Sequence, residues 1–199
     1  MLGAQHLNNK KSASAGPAAA SDDAAIPIAL SGLAPGDTLR FDFRDIDQVS
    51  TLARRLAELS TDPIRVSLGL VELMLNAIEH GILSITSEEK RALTRAACFQ
   101  DEVRRRLVLP DYSSLMAEIE VSRHDDVLCF VIRDPGPGFD WRAVAMASIA
   151  SNDERSGRGI AIAARVGFLR LEYRGRGNEV VAWARAASMP GPACATAPV

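Results

Sequence analysis

The stretch Arg65–Ile82, RVSLGLVELMLNAIEHGI, decides how the chain is read. It is apolar almost all the way round, through Val66, Leu68, Leu70, Val71, Leu73, Met74, Leu75 and Ile78. A helix with that pattern belongs in a core. Yet it carries Glu72, Asn76, Glu79 and His80, which at helical spacing fall within roughly a third of the circumference. Unpaired polar groups are costly to bury, so the stripe is expected to face a cavity, a ligand or a metal. Glu79, at the end of the stripe, also reads as a solvated or paired carboxylate.

The bulk properties fit that reading. The chain has 199 residues, 47% hydrophobic and 24% charged, enough for one domain with tails. A formal net charge of -2 gives no reason to expect a nucleic-acid or membrane partner. Cys98, Cys129 and Cys194 stand far apart, which argues against a disulfide framework. Cys129 reads as a small core residue. No leader-like segment opens the chain and no uncharged apolar run reaches membrane-spanning length. A soluble, cytoplasmic protein of bacterial type is expected.

Outward from the central helix, residues 1–25 read as a disordered tail, with a short strand at Ile26–Leu33. LRFDF at 39–43 alternates as a half-buried strand. Asp47 can cap a helix through Leu59, with Val49, Leu52, Leu56 and Leu59 on one face. After Gly81 comes a charged helical region, Thr86–Leu109, started by Thr86 or Ser87 and ended by Pro110. Its Arg104-Arg105-Arg106 run reads as a solvated face. The period then changes to two. Leu115–Val121 and Val127–Arg133 form a hairpin about a turn at 123–126, with the second strand the more buried. Residues 140–156 hold a short helix and a polar loop. Another helix, Ile160–Val166, precedes two strands at 168–173 and 179–184. Residues 187–199 read as a second tail.

Three groups carry chemistry: the stripe Glu72, Asn76 and His80; Asp134 at a strand end, followed by Pro-Gly136-Pro-Gly138; and Gly157-Arg158-Gly159 at a helix start. Each suits a nucleotide. A carboxylate such as Asp134 can accept a hydrogen bond from the exocyclic amine of adenine. Gly136 and Gly138 let a flat base approach the backbone. A glycine-flanked helix start presents free N–H groups to phosphate, and Arg158 adds charge. Asn76 offers Mg²⁺ a neutral oxygen. Glu72, one turn earlier, can take a proton from an attacking hydroxyl or water. The chain has neither a P-loop nor a complete dinucleotide-binding fingerprint.

The conjunction resembles a known superfamily. Glu72-Leu-Met-Leu-Asn76-Ala-Ile-Glu79-His80-Gly81 looks like the N box of the GHKL, or Bergerat-fold, ATPases. Asp134-Pro-Gly136-Pro-Gly138-Phe139 looks like their G1 box, and Gly157-Arg158-Gly159-Ile160 like their G2 box. The resemblance spans about residues 37–186 and is strongest to the anti-sigma-factor serine/threonine kinases. It implies an α/β sandwich with a mixed, mostly antiparallel sheet and helices on one face, over a domain at 26–186. It implies ATP and Mg²⁺ as ligands: Mg²⁺ on Asn76, adenine on Asp134, phosphates near Gly157–Ile160, His80 lining the nucleotide site and Glu72 as catalytic base.

Several departures qualify the resemblance. An insertion at about 84–114 is longer than in the shortest anti-sigma kinases. Its opening, GILSITSEEK (81–90), resembles ATPase modules attached to response-regulator receivers or to metal-dependent serine phosphatases. Many relatives have Gly-Thr before the last strand, where this chain has Gly177-Asn178, so Asn178 is the candidate replacement on adenine. The lid between the glycine boxes is short. Histidine kinases are disfavoured because His6, His80 and His124 lie on no phosphoacceptor hairpin, and topoisomerases and chaperones because no transducer domain is visible. Two functions follow. One is a kinase acting on an anti-sigma-factor antagonist or a receiver-type protein, with a sigma factor as a further partner and a homodimer as its assembly. The other is a non-catalytic, ATP-sensing module that sequesters such a partner.

Overall fold

The computed structural model describes the strand Ala13–Ser14 and residues 33–142 and 167–188. The glycine box at 157–160, the helix expected at 160–166, and most of the two tails, the 26–33 strand and the 140–156 segment lie outside these. What is described is a two-layer α/β sandwich. The strands are β1 (Ala13–Ser14), β2 (Thr38–Phe43), β3 (Ala117–His124), β4 (Val127–Arg133), β5 (Arg170–Arg174) and β6 (Glu179–Arg185), in the order β1-β2-β3-β4-β6-β5. β1 pairs parallel with β2 and all other pairs are antiparallel, so the expected mixed, mostly antiparallel sheet is found.

Alternation along the central strands places one row of side chains on the helical layer. Ile119 of β3 lies opposite Ile132 of β4, and Phe130 of β4 opposite Ala182 of β6; all four are buried. They join Val49, Leu52 and Leu56 of α1 (Ile46–Ala57) and Val66, Leu70, Leu73 and Met74 of α2 (Pro63–Asn76) in one core. On the opposite face Arg133 holds Glu118 at 2.9 Å and Glu179 at 2.8 Å. Cys129 lies in register with Trp183 on that face and is only half-buried. This corrects its reading as a core residue: VLCFVIR is apolar on both faces, so its period does not assign them.

Local chemistry sets the helix boundaries. Asp45, not Asp47, caps α1, accepting the Asp47 N–H at 3.0 Å, and Leu59 lies beyond the helix end. Asp62 accepts the Arg65 N–H at 3.2 Å with Pro63 at the first helical position, where proline lacks only a donor the helix would not use. The central helix is not one uninterrupted α-helix. It passes at Ala77–Ile82 into a π-helical turn, closed by the Leu83 N–H on the Ile78 carbonyl at 2.8 Å. Nor is it buried all round, since Leu68 is 58% exposed.

The helical region after Gly81 splits in two. Thr86 caps α3 (Ser87–Arg95) by accepting the Glu89 N–H at 3.1 Å. Ala97, at φ +56°, breaks the chain before α4 (Phe99–Leu107), and Pro110 opens a one-turn α5 (Pro110–Ser113). In the arginine run, Arg104 and Arg105 are exposed as expected, but Arg106 turns inward. It holds the Leu83 carbonyl at 2.9 Å, Glu102 at 2.7 Å, and Glu89, which bolts the insertion to the end of the central helix. The hairpin turn is shorter than expected, only Asp125-Asp126. Arg123 is instead a buried strand residue whose guanidinium donates to the Asp125 and Ala187 carbonyls. Among the described residues no single helix is long and apolar enough to cross a membrane.

Candidate functional site

A cavity of about 960 Å³ opens between the end of the central helix, the insertion and the ends of β4 and β6. That volume lies in the range of small-molecule sites, about 300–1,000 Å³. Glu72, Asn76 and His80 line it from α2 and the π-turn, and Asp134, Gly138 and Asn178 from the strand ends. The polar stripe thus faces a cavity. Gly136 stands behind the wall. Gly157, Arg158, Gly159 and Ile160 lie outside the described residues.

Asp134 is placed by backbone on both sides. Its N–H donates to the Asn178 carbonyl at 3.1 Å and its carbonyl accepts from the Asn178 side-chain amide at 2.9 Å. Its carboxylate accepts the Gly136 N–H on Oδ1 at 2.9 Å, leaving Oδ2 for a donor in the cavity. Burial pushes the carboxyl up to about 6, against the lowering effect of that N–H and of the Arg176 and His80 charges. Asn178 lines the cavity as expected, and one N–H of its side-chain amide is donated to the Asp134 backbone. It therefore holds the loop with one N–H, while the second N–H and Oδ1 of the same amide have no partner among the described residues.

Two glycines make the loop fit. A Cβ on Gly136 would lie 2.7 Å from Cα of Gly81, so β4 and the π-turn touch backbone to backbone. Gly138, at φ +78°, has the Arg176 carbonyl oxygen where a Cβ would go, 2.2 Å away. This is the tip of the β5–β6 turn, held by the Phe139 N–H on the same carbonyl at 2.9 Å. Phe139 then meets Tyr173 edge to face, with centroids 5.1 Å apart and planes at 78°. Both rings line the cavity beside Asp134. Burial first, and the charges of Glu72 and Asp134 after it, keep the Tyr173 phenol protonated well above its ordinary range.

Next to Gly81 on the π-turn, the His80 imidazole bonds the Ile85 carbonyl through Nδ1. A carbonyl can only accept, so Nδ1 carries the proton and Nε2 is the nitrogen left for a ligand. Glu79 is 4% exposed and paired with Lys90 of α3, so of its two readings the paired carboxylate holds. Glu72 and Asn76, half-buried one turn apart, make no hydrogen bond or ion pair among the described residues. No group of three potential His, Cys, Asp or Glu metal ligands occurs among those residues. A metal beside Asn76 would draw its other ligands from water and from the bound molecule. That fits Mg²⁺, a hard oxygen-seeking ion that keeps several waters.

Sequence reading missed Gly81 as a structural partner of Asp134, the Phe139–Tyr173 pair, and the cavity face of α3. The signal for Gly81 was present, a glycine directly after the last polar residue of the stripe. The other two depend on contacts across the chain.

When the chain was compared with known proteins, no curated protein matched it. The family model described as the histidine kinase-like ATPase domain matches residues 43–183, more than half of the chain and within the span expected from the boxes. The chain belongs to the histidine kinase-like ATPase domain family, and with it to the GHKL superfamily of ATP-binding domains.

Proposed function

We propose that the protein is an ATP-dependent serine/threonine kinase of the anti-sigma-factor type, acting in bacterial partner switching or response-regulator signalling. The observation that carries the reading is the pair Glu72 and Asn76. They stand one helical turn apart, both face the cavity that holds Asp134, and neither is committed to another group among the described residues. A carboxylate retained only for packing or solubility would be expected to have a partner or full exposure.

In this reading Asp134 accepts the adenine amine through Oδ2, and the Phe139–Tyr173 wall gives the base an apolar face. Asn76 would hold Mg²⁺, which when bound offsets phosphate charge. Glu72 takes the proton from the serine or threonine hydroxyl of the acceptor. The hydroxyl oxygen bonds the γ-phosphorus as the bond to the β-bridging oxygen breaks, and ADP leaves with that oxygen. The acceptor is an anti-sigma-factor antagonist or a receiver-type protein, with a sigma factor as a second partner and a homodimer as the working assembly.

The test is transfer of label from γ-labelled ATP to candidate antagonists. Glu72→Ala is expected to lower transfer by roughly 10²–10⁴-fold, the usual range for a general base, while sparing ATP binding. Transfer by the variant at the wild-type rate would remove Glu72 from the chemistry. Wild-type protein that binds ATP but labels no antagonist or receiver would leave the sequestering module as the correct account.

A further inference from the structure

α3, the first helix of the insertion, presents one face to the cavity along its whole length. Ser87, Lys90, Arg91, Thr94 and Arg95 all line it, at the i, i+3, i+4, i+7, i+8 spacing of a single helical face. The face carries three cations and no carboxylate, although the helix contains Glu88 and Glu89. Lys90 is neutralised by Glu79. Arg91 and Arg95 make no ion pair or hydrogen bond among the described residues. Each arginine of α4 does: Arg104 with Asp101, Arg105 with Glu102, and Arg106 with Glu102 and Glu89. The unpaired guanidiniums of the insertion are thus the two on the cavity.

We infer that Arg91 and Arg95 are binding residues for the phosphate chain of the nucleotide, supplied by the insertion. The proposal rests on the nucleotide reading of the cavity and adds to it a charge-recognising wall. A guanidinium is all donor and no acceptor. It has nothing to offer the exocyclic amine of a base, the group assigned to Asp134, whereas phosphate oxygens match it in charge and in geometry. The two residues are one turn apart, about 6 Å along the axis, which lets them grip neighbouring phosphate groups. The helix that carries them is fixed at both ends of its approach. Thr86 caps it, Lys90 ties it to Glu79, and Arg106 of α4 ties Glu89 to the Leu83 carbonyl. The side chains therefore start from a stationary base, which lowers the cost of ordering them on a ligand. The same wall gives the insertion a purpose: it adds positive charge to a cavity whose other walls bear Glu72, Asp134 and Glu179.

The experiment compares ATP with adenosine, which shares the base and sugar but has no phosphate. Affinities of both are measured by calorimetry for the wild type, for Arg91→Gln/Arg95→Gln, and for Arg104→Gln as a charge control on the exposed face of α4. The double variant is expected to bind ATP about 10–100-fold more weakly, as for the loss of hydrogen bonds to a charged group. Its adenosine affinity should be unchanged, its ATP affinity should depend less steeply on salt, and Arg104→Gln should match the wild type. Equal ATP affinity in the double variant and the wild type overturns the assignment, as does an equal loss for ATP and adenosine. A wild type that binds neither ligand overturns this proposal together with the nucleotide reading. Binding of both by the wild type with no effect of the double variant overturns this proposal alone.

Discussion

Gly81 and Asp134 occupy one space: a Cβ on Gly81 would lie 2.3 Å from Cγ of Asp134 and 2.5 Å from its Cβ. The stripe helix and the strand end that carries Asp134 therefore meet at a point where no side chain fits. The contact explains the π-turn in physical terms. Insertion of one extra residue per turn re-aims the backbone, and here the widened turn brings Gly81 against the end of β4. Gly81→Ala is expected to leave the sheet and helices intact while pushing the Asp134 carboxylate off its Gly136 N–H. Circular dichroism should be unchanged, stability should fall by about 1–3 kcal/mol as for other overpacking changes, and ATP affinity should drop by an order of magnitude or more. Wild-type ATP affinity in Gly81→Ala would show that the position of Asp134 is not what binds.

Adenosine binding should depend on pH through Asp134. Its folded value, about 6, stands above the ordinary 3.8. The group therefore favours the folded chain fully below about pH 4, and that contribution is lost as pH rises through about 6. Binding runs the other way, because the carboxylate form is the stronger acceptor for an amine. Adenosine affinity is expected to be about tenfold weaker near pH 5 than near pH 7.5, following the ionised fraction of one group. Asp134→Asn should bind weakly with a flat profile. Adenosine is the right probe because ATP carries phosphate ionisations of its own.

Lys90→Met tests the pair that ties α3 to the central helix. Removing the ammonium leaves the Glu79 carboxylate buried without a counter-charge, at a cost of about 2 kcal/mol after allowing for the partial exposure of Lys90. Chemical denaturation should show the loss, and Glu79→Gln/Lys90→Met should recover part of it. Arg104→Ala, which breaks an exposed pair on α4, should change stability by less than about 0.5 kcal/mol.

Gly138→Ala is expected to be more damaging than its size suggests. The residue sits at φ +78° with the Arg176 carbonyl oxygen 2.2 Å from where the Cβ would be, so both the conformation and the docking of the β5–β6 turn are lost. A cost of about 2–3 kcal/mol is expected. By contrast Gly175, also at positive φ, has open space around it, and Gly175→Ala should cost only the backbone term of about 1 kcal/mol. Thermal melts of the two variants check the difference.

Much of this was legible in the residues. The stripe of Glu72, Asn76 and His80 was visible because helical spacing converts sequence positions into a face, and Asp134 because a strand run stops at it. Three kinds of feature were not. The passage from α to π at Ala77–Ile82 changes hydrogen bonding without changing residue type, so a helical pattern continues through it. Asp45 and Asp47 are chemically identical caps two residues apart, and only the entry angle of the chain selects Asp45. Pairings such as Glu79–Lys90, Asn178–Asp134 and Arg106–Leu83 depend on where the insertion and the last strands come to rest. The cationic face of α3 was hidden for the same reason. Lys90, Arg91 and Arg95 look like ordinary solvent-facing charges until the cavity is seen beside them.

The most direct measurement is ATP binding by calorimetry to the wild type and to Asp134→Ala, with circular dichroism on both. The wild type is expected to bind ATP in the nanomolar-to-micromolar range, and Asp134→Ala to keep its fold and lose binding by at least about 100-fold, the cost of a missing charged hydrogen bond in a half-buried site. Equal ATP affinity in the two proteins, or a folded wild type that binds no ATP, would contradict that expectation.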